Sequence, residues 1–173
     1  SVFPMLNFMV IKGLEKYQRY AFARECAIRH LYYILEGLSP ASTKQKGDLY
    51  EAYKPNEYGP ASCRSEKEFP RKKFLHYTGL STVALMIENV IGLNISLPRK
   101  TVDWIIPNLE IMGIEKLSLK RNLITILSNK SKRGWEIQME SEKLCYFTIN
   151  ILDQKKKTLP IPSGKCSMLI DKL

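Results

Sequence analysis

No stretch of about 18 or more uncharged apolar residues occurs in this chain, so the sequence offers no membrane-spanning helix. Its four cysteines, Cys26, Cys63, Cys145 and Cys166, are widely spaced and form no C-x-x-C pair. Neither a zinc site nor a disulfide framework is therefore expected, and no cofactor or metal is implied. No signal peptide is visible, and the chain begins at Ser1 without an initiator Met, inside what reads as the start of a helix. It is read as a fragment, and its compartment stays open. Acidic residues are few, 17 Asp and Glu against 27 Lys and Arg, giving a net charge of +10. That balance raises nucleic acid as a partner. Yet the basic residues are dispersed, and their densest groups (Arg71 to Lys73, Lys130 to Arg133, Lys155 to Lys157) fall in predicted loops without a nucleic-acid motif. They read as solvated loop charge, with Arg71 or Lys73 able to reach an anionic or hydroxylated ligand, and no nucleic-acid partner is expected.

What is present divides into a helical part and a strand-rich part. Residues 4–20 read as a helix, with Pro4 in the first turn and Leu6, Val10, Leu14 and Tyr17 at helical spacing. Phe3, Asn7 and Ile11 form an adjoining stripe; Asn7, as the polar member, needs partners if buried. Residues 22–38 read as a second helix, with Ala23, Cys26, Ala27, His30, Leu31, Ile34 and Leu38 on one face, and His30 reads as a hydrogen-bonded core histidine. A third helix is expected over 78–91, capped by Thr78 and ended by Gly92, with Val83, Ile87 and Val90 as its apolar face. Glu88 lies beside that face, as an acid tying helices together or as a second acid near a site. Beyond Pro98 the pattern changes to short alternating segments over 114–119, 123–127, 135–139, 144–151 and 166–170. They predict an antiparallel sheet with one buried face and no exposed aromatic row.

Between the second and third helices, residues 41–73 are long, aperiodic and rich in turn formers, the composition of a functional or disordered loop. At its centre one carboxylate, Glu51, stands between Tyr50 and Tyr53. Two readings follow from the residues alone: a solvated loop acid near packing tyrosines, or the general base of a sugar site.

Tyr50-Glu51-Ala52-Tyr53 followed by Pro55 resembles the W/Y-E-x-Y-x-P loop of glycoside hydrolase family 63, which includes processing α-glucosidases, mannosylglycerate hydrolases and trehalase-like bacterial relatives. Two further segments resemble the same family in the same order. Val2 to Asn7 with Val10-Ile11-Lys12-Gly13-Leu14 and Tyr17 resembles its G-P-V-W-P-x-x-N-x-x-V-I-x-G-L-x-x-Y helix. Phe74 to Leu80 with Ala84 and Ile87-Glu88 resembles its F-x-G-W-x-G-L-x-x-x-A-x-x-I-E helix. Phe3 stands where the family has Trp, and His76-Tyr77 where it has Gly-Trp.

The resemblance implies a mainly α then β chain: part of an (α/α)6 toroid of the six-hairpin glycosidase kind over 1–107, then an antiparallel β-layer over 108–173. It implies an inverting exo-glycosidase acting on α-glucosides or α-mannosides. Glu51 would be the general base, and Phe3, Asn7, Tyr53 and Tyr77 would line the sugar site. The general acid has no equivalent here. The expected partners are an oligosaccharide or small glycoside, and either the missing half of the barrel or a second copy. A non-catalytic carbohydrate-binding or assembly module is the alternative.

Overall fold

A computed structural model describes residues 1–38, 48–62, 70–99, 101–106, 111–151, 155–161 and 163–171. They divide into two compact units, Ser1–Val90 and Ile91–Leu173. The expected boundary at 107/108 compares with an observed division at 90/91.

In the first unit, helix α1 (Pro4–Lys16) has Pro4 at its start, where the missing N–H costs nothing. Gln18, at φ 59°, turns the chain into helix α2 (Tyr20–Leu38). Ile11, Ala23, Ala27 and Leu85 form the core, with Phe8, Leu14 and Cys26 packed against it. The buried side of α1 is therefore the Pro4–Ile11 stripe, while Leu6, Val10 and Tyr17 are exposed. On α2, Ala23, Ala27, His30, Leu31 and Ile34 are buried, as their spacing predicts.

The third helical run begins earlier than expected, at Leu75. It comprises a wide π-type stretch (Leu75–Gly79), helix α3 (Leu80–Leu85) and a second wide stretch (Met86–Ile91). Each wide turn displaces the 3.6-residue periodicity. The buried positions are consequently Thr78, Ser81, Leu85 and Asn89, while Val83 is exposed. A polar buried face requires partners, and it has them. Ser81 Oγ and Thr82 Oγ1 donate to the Thr78 carbonyl. Asn89 Nδ2 donates to Glu15 Oε1 at 2.8 Å. Lys12 Nζ joins Glu15, Glu88 and the Asn89 side-chain oxygen, so Glu88 ties this run to α1. Removing Lys12 leaves two half-buried carboxylates facing each other. Lys12→Met is expected to cost about 2 kcal/mol, read as a lower urea midpoint by far-UV circular dichroism. An unchanged midpoint would show the cluster to be mere surface charge.

The second unit is all β. One sheet runs β1 (Leu93–Ser96), β2 (Thr101–Ile106), β6 (Cys145–Ile151), β7 (Lys155–Ile161). The other runs β3 (Ile111–Leu119), β4 (Asn122–Lys130), β5 (Gly134–Ser141), β8 (Gly164–Asp171). All pairings are antiparallel except β2 with β6. Val102, Trp104 and Ile106 alternate with outward residues on β2, as do Cys145, Phe147 and Ile149 on β6. In the second sheet Ile124 and Ile126 on β4 and Trp135, Ile137 and Met139 on β5 do the same. Two sheets that each bury one face form a sandwich. Strand β7, which carries Pro160, is an edge strand, where a missing N–H is tolerated.

The expected toroid is not found. Among the described residues the helices are α1, α2 and the run around α3, and no ring of hairpins is formed. Residues 48–62 are extended and irregular, held by isolated bridges from Tyr53 to Val2 and to Pro60. Residues 93–106, assigned from sequence to the helical part, are strands β1 and β2. The C-terminal β-layer is present, built as two sheets.

Candidate functional site

The loop around Glu51 is fixed from three sides. Val2 and Tyr53 exchange backbone hydrogen bonds of 2.8 and 2.9 Å, joining the loop to the segment that opens α1. Thr78 Oγ1 donates to the Tyr50 carbonyl at 2.7 Å, and Phe74 N–H to the Leu49 carbonyl at 2.7 Å. Beneath it lie four tyrosines. Tyr53 is fully buried, with edge-on contacts to Tyr33 and Tyr50 and a tilted one to Tyr58. Its hydroxyl accepts from the Tyr50 N–H at 3.0 Å. Tyr33 reaches from α2 to the Lys54 and Glu57 carbonyls, and Tyr58 donates to the Asp48 carbonyl. Burial pushes the Tyr53 hydroxyl well up and that of Tyr58 up to about 12. Both therefore remain neutral donors. The cluster is a rigid floor rather than a source of protons.

Glu51 emerges above this floor. Arg71 grips it with a planar fork, Nη2 to Oε1 at 2.8 Å and Nε to Oε2 at 3.0 Å. The Arg71 backbone N–H approaches Oε2 at 3.4 Å, and the Glu51 N–H donates to the Arg71 carbonyl at 3.1 Å. The side-chain hydrogen bonds from Arg71 hold the Glu51 carboxyl below the usual carboxylate range, while Arg71 is raised in turn. The guanidinium lies 4.5 Å from the centre of the Phe74 ring, whose neighbour at 6.0 Å is Tyr77. Tyr77 is 54% exposed, an aromatic face open to a ligand.

The remaining residues singled out from sequence sit nearby or beneath. Phe3 is half-buried, extended, and immediately precedes α1, next to the Val2–Tyr53 bridge. Asn7 is half-buried, and its amide nitrogen donates to His30 Nδ1 at 3.2 Å. His30 is buried, and desolvation lowers its pKa. The structure thus brings Glu51, Tyr53 and Tyr77 to one end of the first unit through Tyr50, Phe74 and Thr78. From sequence Arg71 belongs to a mostly solvated basic cluster able to reach a ligand, with no pairing to Glu51 expected, and Tyr33 is not singled out at all. No local signal marks either one, because each meets the loop across some twenty residues of chain. Cys63 lies outside the described residues.

Among the described residues no group of His, Cys, Asp and Glu side chains is arranged to hold a metal ion. No helix among them is long and apolar enough to cross a membrane.

Residues 92–173 match the family model described as the C-terminal domain of trehalase. This portion of the chain is accordingly trehalase-like and glycosidase-related. An uncharacterized protein of Borreliella burgdorferi is 62% identical over 174 residues, covering 100% of this chain and 36% of that protein. The chain thus spans about a third of the length of that curated relative. No solved structure matches.

Proposed function

We propose that this chain supplies the water-activating carboxylate of an inverting exo-glycosidase acting on α-glucosides or α-mannosides, with the general acid contributed by polypeptide outside these residues. The observation that carries this reading is the Glu51–Arg71 fork beside exposed Tyr77, in a chain whose C-terminal portion is trehalase-like. A carboxylate has about four lone-pair sites. The fork uses one on Glu51 Oε1 and one on Oε2, and among the described residues nothing else reaches Oε1, whose second site can orient water. In an inverting mechanism that water attacks the anomeric carbon from the face opposite the leaving group. The two carboxyl groups then stand about 6.5–9.5 Å apart. Tyr77 and Phe3 would stack on or contact the sugar. Tyr53 and Asn7 act one layer below, Tyr53 by holding Tyr50 and Asn7 by fixing His30.

The pH dependence tests this arrangement. Arg71 stabilises the ionised carboxylate, so Glu51 is a competent base down to a pH below the ordinary glutamate value. The acid limb of kcat/KM should then lie below about 4.3. Arg71→Gln is expected to move that limb upward towards the ordinary value. A limb that stays in place would show that Glu51 is not the group titrating.

The second reading, a non-catalytic saccharide-binding or assembly module, is favoured by the same fork, because a carboxylate so firmly held ionised is a weakened base. It gives saccharide affinity without turnover, lost in Tyr77→Ala and indifferent to Glu51→Gln.

The partner is further polypeptide. Met5, Leu6, Met9 and Val10 on α1, and Leu80, Val83 and Met86 around α3, are all exposed. Apolar surface of this kind is normally covered, and the Borreliella burgdorferi relative has nearly twice as much sequence again outside the aligned part. Expressed alone, the chain is expected to self-associate through these faces. A monodisperse monomer by light scattering would contradict this.

A further inference from the structure

The second unit contains a cavity that the glycosidase reading does not use. It has a volume of about 640 Å³, within the range of roughly 300–1,000 Å³ usual for small-molecule sites. It opens at the end of the sandwich where the β1–β2, β3–β4 and β5–β6 connections converge. Val102, Ile124 and Cys145, all buried, line its inner part. Ile95, Leu97, Leu119 and Leu144 extend the apolar wall outward. Among the described residues its charged lining consists of Lys120, Arg121 and Lys143, without an acid.

The turns that carry these cations are tied together by hydrogen bonds. Asn122 clasps the neighbouring turn, its Nδ2 donating to Ser141 Oγ at 3.1 Å and its Oδ1 accepting from the Lys143 N–H at 3.0 Å. Ser141 Oγ in turn donates to the Lys143 carbonyl at 2.6 Å. The turn carrying Lys143 is thereby locked to the turn carrying Lys120 and Arg121. The backbone positions of the three cations are thereby fixed relative to one another before a ligand arrives, which favours affinity. Among the described residues no aromatic ring lines the cavity, so they offer a sugar no stacking face there.

We propose that this cavity binds a single anionic amphiphile, its alkyl chain between the two sheets and its phosphate or carboxylate head on Lys120, Arg121 and Lys143. An apolar body and an anionic head are what this lining complements. The inference is independent of any role for Glu51.

The test is isothermal titration of the whole chain with dodecyl phosphate below its micelle concentration, alongside dodecanol, inorganic phosphate and anionic phospholipid vesicles. One saturable site for dodecyl phosphate is expected, with dodecanol and inorganic phosphate each at least about tenfold weaker, since either lacks half of the complement. The combined exposed changes Lys120→Glu, Arg121→Glu and Lys143→Glu should weaken binding about tenfold or more, as should Leu144→Asp. Because all four positions are solvent-exposed, the variants should keep the wild-type tryptophan emission of the buried Trp104 and Trp135. Absence of a site for monomeric dodecyl phosphate, equal binding by the charge-reversed variant, or binding to vesicles alone would each overturn the proposal.

Discussion

Gly92→Ala is expected to destabilise the β unit by about 4 kcal/mol or more, among the largest effects a single methyl group can have. Two independent penalties combine. Gly92 has φ +89°, a conformation that L side chains rarely adopt. A Cβ there would also lie 2.1 Å from the Ile105 carbonyl oxygen and 3.1 Å from its carbon. Those atoms are strand backbone and cannot swing aside as a flexible side chain would. The collision also pulls apart the hydrogen bond from the Ile105 N–H to the Gly92 carbonyl. Trp104, fully buried and donating to the Ile91 carbonyl, packs on the same corner. The chain's two tryptophans, Trp104 and Trp135, both lie in the β unit, so their fluorescence during urea unfolding reports this unit alone. A wild-type midpoint for Gly92→Ala would mean that the chain leaves the wide turn at Met86–Ile91 by another route.

Glu51→Gln is expected to lower kcat of the natural protein, isolated at its full length, by roughly 10²–10⁴-fold, with KM little changed. Glutamine has the same shape, and its carbonyl oxygen still accepts one bond from Arg71, so the loop stays in place. It cannot take a proton from water. The loss therefore falls on the chemical step, whereas a merely structural glutamate would show its loss in stability. Retention of wild-type turnover would remove Glu51 from the chemistry and leave the saccharide-binding reading in possession of Tyr77.

What was legible in the sequence depended on whether local periodicity and tertiary packing agreed. On α2 they agreed over most of the stripe, from Ala23 to Ile34, with Cys26 only half-buried and Leu38 exposed at the end of the helix. The strands β4, β5 and β6 were visible in their alternation, because each buries one face, and segments matching β3 and β8 were also marked out by the turn signals around them. On α1 the amphipathic face was broad, and packing selected the Ile11 stripe over Leu6 and Val10, a choice that depends on neighbours. Around α3 two wide turns displaced the register and brought Thr78, Ser81 and Asn89 inward, against any hydrophobic pattern. The helical toroid expected from family resemblance was not found. Strand β2 was overlooked although Val102, Trp104 and Ile106 alternate plainly, because it was taken as the tail of that helical part. In the site, Glu51 and its tyrosines were identifiable as a cluster. Arg71 was not, because a guanidinium in a basic loop gives no sign of which carboxylate it will meet.

The most direct test of the central claim is a proton NMR time course of glycoside hydrolysis by the natural protein, reading the anomer first released. The account expects a β-configured product from an α-glycoside, its formation abolished in Glu51→Gln. Release of the α-anomer, or hydrolysis that survives the substitution, would contradict the assignment of Glu51 as the water-activating base.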